Sequence, residues 1–341
     1  MQQAEIQTLM EGKHFPDNTA GNPSFRTQLK ETHISYVILT AEHAYKIKKP
    51  IKTSFLDFST LELRQYYCQR ELELNRRLAA VMYQEVLPVR KKGDAFYIGQ
   101  QEGEIIDYTL KMQRMDNRRE MDELLKKGKV TEAHIEKIAR KIAQFHQQVE
   151  VIRQSFELED YKERFNAINE QREFIEKQME ARYIRYLDEA VAYSDDFLQK
   201  NIELLQARHQ QGMIRDGHGD LHSKNIFLYD DPVIFDCIEF SDHYRYLDVL
   251  NEIAFFCMDL EAYQAYALSK LFYQKYTELM PENSFSAQDR FNLFNYYKCF
   301  RANVRAKVTA MAAHDITDEE KLAARTDEVK MYLELMRGYY H

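Results

Sequence analysis

His218-Gly219-Asp220-Leu221-His222-Ser223-Lys224-Asn225, followed by Val233-Ile234-Phe235-Asp236, decides how the chain is read. It offers one carboxylate, an amide five residues later, and a second carboxylate at the end of an apolar run. The apolar stretches 226–229 and 232–235 flank Asp230-Asp231 and read as a β-hairpin. Such a hairpin returns Asn225 and Asp236 to one place. Their side-chain oxygens are hard ligands, suited to a magnesium ion that bridges phosphates. An Asp that orients an attacking hydroxyl is the third group that phosphoryl transfer needs, and Asp220 is the candidate.

The spacing from Asp220 to Leu221 to Asn225 is that of the protein-kinase loop H-R-D-L-x-x-x-N, which is followed by a metal-binding Asp. The wording HGDLHxxN with FDxIEF downstream resembles the aminoglycoside phosphotransferase family, and most closely a bacterial branch of it. The likeness is strongest from 215 to 259, and weaker echoes extend it over most of the chain. It implies an α+β, two-lobed protein-kinase-like fold. A small, mainly antiparallel β N-lobe with one helix would span 1–112, and a large, mainly helical C-lobe 113–341. It further implies ATP (or another NTP), Mg²⁺ and a small-molecule hydroxyl acceptor.

Residue by residue, the resemblance makes Asp220 catalytic and Asn225 and Asp236 metal ligands. His218 braces the loop by hydrogen bonds. Asp248, in Tyr246-Leu247-Asp248-Val249, is the acid at the start of the next helix and is expected to brace the loop backbone. Glu239 stands near the glycine of the kinase D-F-G and is a candidate carboxylate beside the magnesium site. His222 reaches the γ-phosphate or the acceptor, or packs internally.

Upstream, 32–40 and 44–50 read as two strands joined by the turn 41–43. In the kinase pattern V-A-I-K, a small residue precedes the phosphate-pairing lysine by two positions on one strand face. Ala44 and Lys46 fit, so Lys46 is the first choice and Lys48, on the same face, the second. Solvated edge-strand lysines are the plain alternative. The first strand has no glycine-rich loop. Thr32, His33 and Ser35 stand there instead, as phosphate donors or as an ordinary strand end. A helix is expected over 59–80, capped by Ser59 or Thr60. Its Glu71 is the expected partner of the strand lysine, with Glu73 the runner-up. Strands at 86–89, 95–98 and 105–112 complete the small lobe. The hinge is Gln113-Arg114-Met115-Asp116, where adenine is expected to pair with backbone groups and Met112 and Met115 either pack on the ring or serve as core methionines. Gln113 and Met115 are therefore nucleotide-side candidates.

From residue 117 nearly everything reads as helix. Thr131 caps a long one whose stripe of Ile135, Ile138, Ala139, Ile142, Phe145, His146 and Val149 is apolar but for a core histidine. Two or three helices are expected over 160–212, and further helices over 248–280 and 286–341. The extra helices before the catalytic stretch favour a small-molecule acceptor. On the late helix, Lys298, Arg301 and Arg305 share a face that would suit an anionic acceptor if it lined the acceptor site.

Bulk properties narrow the field. The net charge of −8 argues against a general nucleic-acid binder, which would be basic. The four cysteines lie far apart and form no C-x-x-C pair, which fits a reduced, cytoplasmic compartment. Residues 1–12 lack the apolar core of a signal peptide, and no run approaches the ~20 apolar residues of a membrane span. Two rival functions remain open. One is a nucleotide-binding, catalytically weak pseudokinase-like regulator. The other is a metallohydrolase built on His218, Asp220 and His222, which a strand would aim one way.

Overall fold

The computed structural model describes residues 1–18, 24–53, 56–281, 284–314 and 316–341. The loop expected over 13–25 includes 19–23, which lie outside the described residues. The first elements are α1 (Gln3–Gly12), β1 (Gln28–Glu31), β2 (Ser35–Leu39), β3 (His43–Lys48), α2 (Leu61–Ala79), β4 (Tyr83–Lys92), β5 (Ala95–Ile98) and β6 (Glu104–Gln113). The strands form one sheet in the order β1-β2-β3-β6-β4-β5, and every pairing is antiparallel. The strand expected over 32–40 is β2, and β1 precedes it as a strand the sequence did not announce. Thr32 closes the turn between β1 and β2: its hydroxyl donates to Ser35 O and accepts from Ser35 N at 2.9 Å. Ser35 itself is fully buried. The Thr32 hydroxyl is therefore spent on the turn.

Helix α2 begins where the Thr60 side chain accepts from Leu63 N, which satisfies a backbone donor that the first helical turn leaves open. Its Leu72 and Ala79 pack with Leu39, Ala44, Met82, Tyr83, Leu110 and Met112 on one side of the sheet. Ile6 and Leu9 of α1 pack with Tyr36, Ile38, Tyr45 and Ile47 in a second cluster. The strands β8 (Ile226–Phe227) and β9 (Val233–Ile234) form the expected hairpin, shorter than its apolar runs, and add Phe227 and Val233 to the first cluster. The chain accordingly divides into two compact units, 1–124 with 224–244, and 125–223 with 245–341. The expected division at 112 falls one residue before the end of β6. The structure divides later and returns the hairpin to the first unit.

The second unit is mainly helical. After α3 (Met121–Lys126), which straddles the division, come α4 (Glu132–Gln148), α5 (Leu158–Asn166), α6 (Arg172–Gln178), α7 (Ala181–Lys200) and α8 (Ile202–Gln210). The stretch 160–212 thus carries four helices rather than two or three. Strand β7 (Ile214–Asp216) pairs antiparallel with β10 (Tyr246–Asp248), which follows the short α9 (Asp242–Arg245). The chain ends with α10 (Val249–Ala262), α11 (Tyr266–Leu279), α12 (Ala287–Ala313) and α13 (Glu319–Gly338). The stretch 248–280 breaks in two where Gln264 turns with φ +60°. Helix α10 is buried from Val249 to Glu261, as befits a helix that is apolar on most sides. No helix among the described residues is long and apolar enough to cross a membrane.

Candidate active site

The first unit brings Lys46, Glu71 and Asp236 into direct contact. Lys46 leaves β3 toward α2, and its ammonium donates to Glu71 Oε1 at 2.7 Å and to Asp236 Oδ1 at 2.8 Å. Lys48, two residues on and on the same strand face, donates to Glu71 Oε2 at 2.7 Å and to Glu239 Oε1. The two lysines that the sequence left as alternatives therefore share one carboxylate. Lys46 holds the rung that ends on Asp236. Glu239 sits on the other rung, 5 % exposed, paired to Lys48. Glu73 instead accepts from Gln69 Nε2 at 3.0 Å on an exposed face.

Electrostatics follow from that arrangement. Burial favours a neutral Lys46, but the carboxylates of Asp236 and Glu71 more than offset it and hold its pKa well above the usual lysine range. Burial acts the same way on Glu71, and the two ammonium groups pull its carboxyl below the usual range. Glu239 is pushed upward by burial, and Lys48 offsets only part of this.

The loop that carries Asp236 is over-determined. Phe235 N donates to Asn225 O at 3.0 Å, Asp236 N to the Tyr83 hydroxyl at 3.3 Å, and Cys237 N to Asn75 Oδ1 at 2.9 Å. Asp236 is held at φ +62°, a left-handed conformation that costs a non-glycine residue about 1 kcal/mol. Its side chain is 44 % exposed. The bond from Phe235 to Asn225 puts Asn225 and Asp236 at the same end of the β8–β9 hairpin. The candidate donor set is a carboxamide and a carboxylate, hard oxygen donors of the kind that fits a divalent cation, and the backbone is strained at the carboxylate's residue, Asp236. Tyr83 and Asn75 were not singled out in the sequence. An Asn one helical turn after Glu71 was the available signal for Asn75, whose amide also donates to Glu71 O at 3.0 Å.

At the hinge, three backbone donors are taken. Gln113 N donates to Met82 O at 2.7 Å, Arg114 N to Glu42 O at 2.8 Å, and Asp116 N to the Tyr229 hydroxyl at 3.0 Å. Met115 N has no such partner among the described residues. Met115 packs at the edge of the cluster containing Ala44 and Met112. The Gln113 side chain donates to Glu42 O at 2.9 Å.

In the second unit, 217–222 is loop, not strand. The alternation that would aim His218, Asp220 and His222 one way therefore does not apply. His218 is fully buried, and its Nδ1 accepts from Asp220 N at 3.3 Å. His222 Nε2 lies 3.2 Å from Asp220 Oδ2, and its ring packs on Phe255. Burial favours a protonated Asp220, yet His222, Arg305 and His218 together hold its carboxyl far below the usual range.

The bracing expected of Asp248 is done by a different acid. Glu252, on α10, accepts from His218 N at 2.8 Å and from Gly219 N at 2.6 Å. Asp259, two turns on, accepts from Ser223 N at 2.8 Å. Asp248 instead takes Arg208, with Nη2 at 2.7 Å, and caps α10 through Leu250 N. Its position at the helix start makes it a cap, whereas Glu252 lies one turn inside and reaches the loop. His146, read as a core histidine, supports Glu252: its Nε2 is 2.7 Å from Glu252 Oε2 and its Nδ1 2.7 Å from the Tyr276 hydroxyl. A carboxylate can only accept, so Nε2 carries the proton.

The late basic face is largely occupied. Arg301 Nε donates to Asn251 Oδ1 at 2.6 Å and its Nη1 to Gly219 O at 3.2 Å. Lys298 donates to Glu261 at 3.1 Å, and Arg305 donates to the Tyr332 hydroxyl at 3.3 Å.

No protein-family profile matches the chain. An uncharacterized protein of Mycobacterium tuberculosis is 32 % identical over 285 residues, which cover 82 % of this chain and 54 % of that protein. The chain thus spans about half the length of the curated relatives it matches. Among solved structures, an aminoglycoside 2'-phosphotransferase-IIIa mutant bound to GDP is similar with a TM-score of 0.53 at 10 % identity, over 97 % of both chains. A Plasmodium vivax ethanolamine kinase gives 0.51 at 12 %, over 97 % of this chain and 87 % of that one. An amicoumacin kinase bound to AMP-PNP and Ca²⁺ gives 0.51 at 15 %, over 91 % and 89 %. The chain has the protein-kinase-like fold, in the form found in aminoglycoside phosphotransferases and choline/ethanolamine kinases.

Proposed function

We propose that the chain is an ATP- and Mg²⁺-dependent phosphotransferase of the aminoglycoside-phosphotransferase-like kind, moving a γ-phosphate to a hydroxyl of a small molecule. The observation that carries this reading is the Lys46 ammonium held between Glu71 and Asp236. Phosphoryl transfer asks for a lysine fixed by a counter-charge next to a metal-binding carboxylate. The similar structures that are small-molecule kinases, one with GDP and one with AMP-PNP and Ca²⁺, agree with it.

In this reading, residues 1–112 and the β8–β9 hairpin bind the nucleotide. Residues 113–341, apart from that hairpin, carry Asp220 and the acceptor site. The Met115 N–H pairs with the base, while Met112 and Ala44 provide an apolar surface beside it. Lys46 pairs with the phosphates, and Glu71 keeps it oriented. Asn225 and Asp236 hold the cation, which when bound neutralises phosphate charge and orients the γ-phosphoryl group. Asp220 stays ionised, orients the acceptor hydroxyl and takes its proton late, because the transition state is loose. His222 fixes the rotamer of Asp220 through its carboxylate, and His218 steadies the backbone N–H of the same residue.

The test is transfer of labelled γ-phosphate from ATP into a pool of small-molecule alcohols. The wild-type chain with Mg²⁺ is expected to label an acceptor, and Asp220→Asn to lower the rate by roughly a thousandfold with nucleotide affinity nearly unchanged. Mg²⁺-dependent ATP binding with no transfer to any pool would favour the nucleotide-binding regulator instead.

A further inference from the structure

The outer rung of the ladder has no part in the reaction proposed above. Lys48 and Glu239 are 1 % and 5 % exposed, and Lys48 also lies 4.7 Å from the centre of the Phe58 ring. Taking two charges out of water is costly, and well-packed apolar side chains of similar volume often serve stability as well or better. The rung therefore asks for a reason beyond stability. The division of Glu71 supplies one. Its Oε1 serves Lys46 and its Oε2 serves Lys48, so each of its two oxygens is held by a different lysine.

The inner rung has to open. Lys46 and Asp236 are bonded to each other, yet nucleotide phosphates and a cation would call on each of them separately. If Glu71 depended on Lys46 alone, that exchange would loosen the helix carboxylate at the moment its orientation matters. We propose that Lys48 and Glu239 are positioning residues for nucleotide binding: they keep Glu71 in place while Lys46 and Asp236 part. The same short segment closes both rungs, since Asp236 and Glu239 lie three residues apart in Asp236-Cys237-Ile238-Glu239. The β3 pairing with β2 at Ser35 and with β6 at Leu110 fixes the strand that carries both lysines.

This inference rests on the phosphotransferase reading, and one experiment separates the two. Mg-ATP affinity is measured calorimetrically on the full chain, together with kcat and KM once an acceptor is known. The variants are Lys48→Met, which leaves Glu239 without its lysine, and the charge-balanced pair Lys48→Met with Glu239→Gln. The balanced variant is expected to fold and to bind Mg-ATP about tenfold more weakly, with KM for ATP raised and kcat within about threefold. Lys48→Arg, which keeps the charge, is expected to recover part of the affinity. Wild-type affinity in the balanced variant, a loss confined to kcat, or failure of that variant to fold would overturn the proposal. If the wild-type chain binds no nucleotide, the underlying phosphotransferase reading fails first.

Discussion

Glu252 accepts the backbone N–H of Gly219 at 2.6 Å, one residue before the carboxylate that the proposed chemistry depends on. The same carboxylate accepts from His218 N at 2.8 Å and contacts His146 at 2.7 Å. A loop with little regular structure is thereby tied to the most buried helix of its unit.

Acid stability should report this bond set. Burial works against the Glu252 charge, but His146, His218 and the Gly219 amide pull its pKa down to about 2, from an ordinary value of 4.5. A carboxylate depressed on folding stabilises fully above its unfolded pKa and loses that contribution as pH falls through the folded one. Glu252 should therefore contribute about 3 kcal/mol above pH ~4.5, lost progressively toward pH ~2. Denaturant titrations from pH 6 to pH 2 are expected to show E252Q already destabilised at neutral pH, with a flatter acid limb. Parallel acid limbs in the two proteins would contradict this.

Gly217 should tolerate no side chain. A Cβ there would lie 2.6 Å from Glu252 Oε2, an atom that its hydrogen bonds hold in place. Gly217→Ala is expected to cost roughly 2–4 kcal/mol, read as a lower urea midpoint. It should also lower turnover more than nucleotide affinity, because the nucleotide-side residues belong to the other unit. A midpoint equal to wild type would mean that Glu252 can move away.

The strain at Asp236 gives a prediction with opposite signs for stability and binding. At φ +62° a glycine relieves about 1 kcal/mol, partly offset by the loss of the Lys46 ion pair. Asp236→Gly is expected to melt within a few degrees of wild type, yet to lose the Mg²⁺-dependent part of stabilisation by ATP. Retention of that part would remove Asp236 from the metal site.

Asn75 bridges α2 to the same loop through Glu71 O and Cys237 N. Asn75→Ala leaves the buried Cys237 N–H without its acceptor, at a cost of about 1–3 kcal/mol. Nucleotide affinity should fall as well, since Glu71 and Asp236 lose a common tie. Unchanged stability would show that another acceptor reaches that amide.

The fold was legible because its decisive signals are local. The Thr60 cap, the helical stripe of α4 and the hairpin around Asp230-Asp231 are all written in short windows. The pairing of Lys46 with Glu71 was legible through the strand period, which put a small residue and a lysine on one face. What escaped depends on distance in three dimensions. Nothing in the spacing of Glu252 distinguishes it from Asp248, and only the helix geometry shows that the first caps the loop and the second its own helix. Strand β1 was missed because Gln28–Glu31 is mostly exposed and carries no alternation. The shared use of Glu71 by both lysines was hidden because a sequence pattern asks which lysine pairs, and the structure pairs both.

The most direct test of the central claim is calorimetric titration of the full chain with ATP, with and without Mg²⁺. Lys46, Glu71, Asn225 and Asp236 are expected to give a single site whose affinity rises at least tenfold with Mg²⁺ and loses that increment in Asp236→Ala. No nucleotide binding under either condition, or binding indifferent to both Mg²⁺ and Asp236, would contradict it.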